Sequence, residues 1–154
     1  MSLHVRHGFF TLLELGPVVV VIAVLAVIVL IALNPKKQFE EIRNATRRQD
    51  VALLADAVAS YAQVAGAGGS FLQSIPLSAT EICGDTVTGS CTNLFSIAVL
   101  LPKYLEEAPM DPLSKDTDVP NEHSRYFIAR STENRITVSA PDREGGIPEI
   151  SVTR

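Results

Sequence analysis

Sixteen consecutive apolar residues, Val18 to Leu33, limit what this chain can fold into more than any other feature of its sequence. The wider stretch from Phe9 to Leu33 is broken only by Thr11, Glu14, Gly16 and Pro17. As a helix these 25 residues would extend roughly 37 Å at about 1.5 Å each, against a hydrocarbon core of about 30 Å. Length and composition therefore point to a membrane span, with a core helix buried on every face as the competing reading. A cleaved secretory signal fits less well. No Ala-x-Ala-like pair closes the run before Asn34-Pro35-Lys36-Lys37, and the run exceeds the usual h-region of about 7–15 residues. The segment is expected to stay in the mature protein.

The rest of the 154-residue chain suffices for one small domain with a modest core. The net charge of the whole chain, −4, disfavours direct nucleic-acid binding, which calls for a strongly basic domain. Residues 1–8, Met-Ser-Leu-His-Val-Arg-His-Gly, read as a short polar leader, 9–33 as the apolar half of a long helix, 34–65 as its outer half and 66–154 as a globular head. Pro35 suits a first helical turn, and from there the chain is rich in helix formers and free of Gly and Pro until Gly66. A kink is expected at Asn34-Pro35.

Two apolar faces emerge from the helical phase of the outer half. Val51, Leu54, Val58, Tyr61 and Ala65 form one stripe suited to packing on the protein's own sheet. Phe39, Ile42 and Leu53 fall more than a quarter-turn away, where they would meet neighbouring subunits or widen a single buried stripe. Gly66-Ala67-Gly68-Gly69-Ser70 is expected to end the helix and open a loop, with irregular chain up to Cys91. Leu94 to Leu105 reads as a short helix interrupted at Pro102. Arg125 to Arg130, Arg135 to Ala140 and Ile150 to Thr153 read as strands, the last two by their period-two alternation. One long helix followed by a small antiparallel sheet is an α+β arrangement.

Cys83 and Cys91 lie eight positions apart in a Gly/Thr/Ser-rich segment. Zinc would need more ligands, and His123 is the only histidine beyond the leader. A disulfide fits an oxidising compartment, and two reduced thiols are the alternative. Catalysis finds no support, because no Ser or Cys nucleophile can be matched to His123, which reads as a surface side chain.

The segment Gly8-Phe9-Phe10-Thr11-Leu12-Leu13-Glu14-Leu15, running directly into the apolar stretch, resembles the leader junction of type IV pilins and type II secretion pseudopilins. The resemblance is specific over residues 6–33 and looser beyond, through the helix-then-sheet order and the cysteine pair. It implies cleavage by a prepilin peptidase between Gly8 and Phe9, N-methylation of Phe9, and polymerisation into an extracellular filament. It also implies identical or homologous pilin subunits as partners, an inner-membrane assembly platform with its ATPase, and membrane lipid before assembly. The head would lie outside the cytoplasm. A positive-inside count gives the opposite orientation, with Lys36, Lys37, Arg43, Arg47 and Arg48 beyond the span and Arg6 before it. The cysteine pair agrees with the resemblance. Nearby Glu40, Glu41 and Asp50 are candidate partners for the arginines, with a solvated helix face as the alternative.

Glu14 carries a physical argument of its own. A carboxylate in an apolar segment costs several kcal/mol unless paired or neutralised, so it marks a functional site by default. Cleavage after Gly8 creates an α-amine with an ordinary pKa of about 8, cationic at neutral pH. Glu14 of an incoming subunit is then expected to pair with the Phe9 amine of one already docked, fixing axial register. That cut makes Glu14 the sixth mature residue, one beyond the family's usual fifth.

Two other readings stay open: a major pseudopilin of type II secretion, and a single-span anchor carrying a binding or enzymatic domain. Asp111, Asp116, Asp118 and Glu122 crowd one loop. Pseudopilins bind calcium in a comparable loop, which makes Asp111, Asp116 and Asp118 weak calcium candidates beside a solvated acidic loop. No other cofactor is expected. Asn44-Ala45-Thr46 matches a glycosylation sequon within a helix.

Overall fold

Asn34 divides the N-terminal helical stretch in two. In the computed structural model, which describes residues 11–64, 66–84, 91–114 and 123–154, helix α1 spans Leu12–Leu33 and α2 spans Pro35–Ala62. Asn34 adopts a left-handed backbone (φ 40°, ψ 72°), a conformation Asn tolerates better than most residues. It ends α1, while its Oδ1 accepts from the Lys37 amide at 3.5 Å and so marks the start of α2. Pro35, at the first position of α2, loses nothing there by lacking an N–H.

The chain forms two compact units, Met1–Phe39 and Glu40–Arg154. The second is an α+β domain in which the Glu40–Ala62 part of α2 packs on a four-stranded antiparallel sheet. Its strands are β1 (Thr80–Cys83), β2 (His123–Arg130), β3 (Ile136–Ala140) and β4 (Ile150–Thr153), hydrogen-bonded in chain order. Burial alternates along β2 and β3. Ser124, Tyr126, Ile128, Ile136, Val138 and Ala140 point inward and their neighbours point outward, as the pleat requires. Val51, Leu54 and Val58 meet this inner face, and Tyr61 packs on its margin, so the stripe read from helical phase is the core-facing one. Ala65 lies outside the described residues. Ile42 and Leu53 are exposed, as is Phe39 in the first unit.

The region from Gly66 to Cys91 differs from its sequence reading. Ala67–Ser74 is a helix, α3, and Thr80–Cys83 pairs with β2 as an edge strand. Gly66, at φ 81°, turns the chain out of α2, and Phe71 and Leu72 then anchor α3 on the core. A cluster of three glycines suggests a loop, yet Gly68 serves close approach. A Cβ there would collide with the carbonyls of Ala62 and Tyr61. The expected helix between Leu94 and Leu105 is reduced to a single 3₁₀ turn at Ala98–Leu100, because Pro102 restricts Leu101 to extended backbone and supplies no donor. Returning chain hydrogen-bonds along β1, Cys83 N to Phe95 O at 2.9 Å and Phe95 N to Glu81 O at 2.8 Å. The Cys83–Cys91 disulfide is formed, with the Cα atoms 5.5 Å apart.

Candidate functional site

The surface of α1 is the first candidate. Thr11 caps the helix, with its Oγ1 accepting from the Glu14 amide at 3.3 Å and its carbonyl accepting from the same amide at 3.0 Å. Thr-x-x-Glu at a helix start is the sequence form of a capping box, and a carboxylate in the first turn also suits the positive end of the helix dipole. Glu14 therefore sits where the helix begins. Gly8 and Phe9 lie outside the described residues. Pro17 lies inside α1 and leaves the Leu13 carbonyl without its usual helical donor.

Beyond Glu14 the helix is apolar all round. Fourteen large apolar side chains between Leu13 and Ile31 are exposed, each by half or more. Covering them would be worth on the order of 10–20 kcal/mol at about 1.5–3 kcal/mol for a fully buried side chain, scaled for half burial. That is comparable to the whole stability of a domain, so α1 requires an apolar environment from lipid or from other helices. One helical stretch of the described residues is long and apolar enough to cross a membrane, a test that a signal sequence also passes.

A second constellation lies in the Glu40–Arg154 unit, where α2 meets two loops. Arg47 is fully buried. Its Nε donates to Asp111 Oδ2 at 2.5 Å and its Nη2 to Asp111 Oδ1 at 3.0 Å, a two-pronged pair. The remaining Nη1 reaches Glu144 Oε2 at 3.0 Å and Asn44 Oδ1 at 3.1 Å. Arg43 grips the same Glu144 through Nε at 2.6 Å and Nη2 at 2.5 Å. Asn44 holds the Glu144 backbone in both directions, donating to its carbonyl at 2.9 Å and accepting from its amide at 3.1 Å. One turn further along α2, Tyr126 donates its hydroxyl to Asp50 at 2.6 Å. The loops before β2 and between β3 and β4 are thus clamped to the helix by charge.

Electrostatics follow from these contacts. The hydrogen bonds from Arg43, joined by the one from Arg47, outweigh burial and pull the Glu144 carboxyl down to about 2. Burial works to lower the Arg47 pKa, but the hydrogen bonds to Asp111 and Glu144 prevail and hold it above its ordinary value. At Asp50 burial dominates and raises the carboxyl, against the pull of the Tyr126 hydroxyl. The Tyr126 phenol is raised, chiefly by burial and then by the carboxylate it faces.

Two of the three α2 arginines, Arg43 and Arg47, are partnered otherwise than the sequence suggested. Arg43 and Arg47 engage Glu144 and Asp111, 101 and 64 residues away, rather than their neighbours on the helix, and Arg47 lies in the core rather than on a solvated face. No local pattern in the sequence signals such distant partners. Asn44, the sequon residue, is buried and committed to Glu144. His123 opens β2 with Nδ1 2.8 Å from Glu81 Oε2, so the expected surface histidine is half-exposed and held by a carboxylate.

Asp111 is buried with both carboxylate oxygens on Arg47, so a cation there would have to displace the guanidinium. Asp111 does not suit the calcium reading. Its other candidates, Asp116 and Asp118, lie outside the described residues, as does Glu122. Among the described residues no group of three or more His, Cys, Asp or Glu side chains is arranged to hold a metal ion.

Taken together, these features define a membrane-capable N-terminal helix followed by an α+β domain with a disulfide. Compared with known proteins, the chain matches no family model, no curated protein and no solved structure.

Proposed function

We propose that this chain is a structural subunit of a type IV pilus-like filament, cleaved between Gly8 and Phe9 and polymerised through its N-terminal helix. The observation that carries the reading is α1 itself, whose apolar side chains are exposed on every face immediately after the Gly8-Phe9…Glu14 junction. In the membrane, lipid covers that surface. In a fibre, the α1 helices of neighbouring copies cover it instead, so the same side chains serve both states at similar free energy. Glu14 would pair with the new Phe9 amine of an adjacent subunit and fix the register of an otherwise featureless apolar contact. The disulfide suits a head that faces an oxidising compartment. On this reading the protein works by assembly and carries no catalytic step. Its partners are copies or homologues of itself, the peptidase, and an inner-membrane platform driven by an ATPase.

N-terminal mass spectrometry of the natural protein tests the proposal. A chain beginning at methylated Phe9, recovered from sheared extracellular fibres, is the expected result. A mature chain that begins at Met1 and never leaves the membrane would overturn it and favour a single-span anchor.

A further inference from the structure

Beside α2 runs a groove of about 490 Å³ whose walls combine acid and apolar surface. Asp50, Glu106 and Glu107 supply the carboxylates, while Leu53, Pro109 and Met110 supply the apolar wall. No residue lining it is cationic. Of the α2 guanidiniums, Arg43 is engaged by Glu144 and Arg47 by Asp111 and Glu144, while Arg48 lines a separate recess with Pro148 and Glu149. The Lys103 ammonium lies 5.3 Å from the centre of the Tyr104 ring. The groove thus concentrates negative charge around an exposed Leu53 and suits a partner that brings cations next to an apolar side chain.

The chain carries such a segment. Lys36 and Lys37 are exposed at the start of α2, followed two residues later by exposed Phe39. We propose that the groove of one copy receives the Lys36-Lys37-Gln38-Phe39 segment of a second copy, the lysines facing Glu106, Glu107 and Asp50 and the Phe39 ring lying on Leu53 and Met110. The two surfaces differ, so the contact is heterologous. Repetition of a heterologous contact that does not close a ring generates an open helical filament. The inference rests on the filament reading and deepens it, by assigning a contact outside the apolar helices that selects which copies pack together. An arriving ammonium would also favour the charged form of Asp50, which burial disfavours in the isolated subunit.

The test uses the full chain expressed with a prepilin peptidase, assembly platform and ATPase. Variants E106K/E107K and K36E/K37E change exposed side chains only. Each should lower fibre yield by about tenfold or more, since like charges would then face one another across the contact. The fourfold variant, with the charges exchanged, should restore most of it. Two chains, one carrying K37C and the other E107C, are also co-expressed. A disulfide-linked dimer of these two, absent when either chain is expressed alone, is the expected product. Fibres formed equally well by either reversed variant, or no rescue in the exchanged variant, would overturn this contact and leave the filament reading standing. Wild-type chains that are processed but form no fibre, together with K37C and E107C chains that form no cross-link, would overturn both.

Discussion

Replacing Asp111 by alanine should be among the most damaging single changes in the head. Arg47 has no solvent exposure, and Asp111 accepts two of its four hydrogen bonds at 2.5 and 3.0 Å. Removing the carboxylate leaves a buried guanidinium with Glu144 and Asn44 on one side and nothing on the other. Breaking a buried pair in this way costs about 3–5 kcal/mol. Glu144 still offsets part of the charge, so the lower end, about 3 kcal/mol, is expected. Against a total stability of about 5–15 kcal/mol, that is a large share. The double variant R47M/D111L removes both charges and fills the space, and it should lie within about 1 kcal/mol of wild type. Urea unfolding of the full chain in detergent micelles, followed through the head's tyrosines, measures both. The midpoint of D111A should fall with an unchanged slope, and the double variant should recover it. A D111A loss below about 1 kcal/mol, or a double variant as weak as the single, would refute the account of an orphaned buried charge.

Two further outcomes follow from the same geometry. The Glu144 carboxyl is held at about 2, below its ordinary value of about 4.3. A depressed carboxylate adds stability above its unfolded value and loses it as pH falls through the folded one, so this contribution should vanish between about pH 4.5 and pH 2. Acid titration of unfolding should show that loss in wild type and a flatter profile in E144Q. At the junction of α2 and α3, G68A should destabilise the head by about 1–3 kcal/mol because the new Cβ meets the Ala62 and Tyr61 carbonyls. G69A, one residue along with open space around it, should instead gain about 0.5–1 kcal/mol from helix propensity. Thermal melts of the pair check the contrast, and a G68A chain as stable as G69A would contradict the close approach.

Features that repeat locally were legible in the sequence. The apolar run fixed α1 because a helix with no polar face has few environments open to it. Period-two alternation located β3 and β4 almost to the residue, and helical phase found Val51, Leu54 and Val58 as the core face of α2. What tertiary structure alone decided was the polar continuation of that face. The buried stripe runs two turns further back, through Arg47 and Asn44, at spacings of three and four residues into Val51. A filter that looks for apolar side chains stops at Val51, because Arg and Asn enter a core only when partners from distant chain meet them. Asp111 and Glu144 do so here, 64 and 97 residues away. The strand β1 was hidden for the same reason, since four residues become a strand only by pairing with β2 some forty positions on. Periodicity is written in neighbouring residues, whereas charge pairing across a folded chain exists only once the chain has closed.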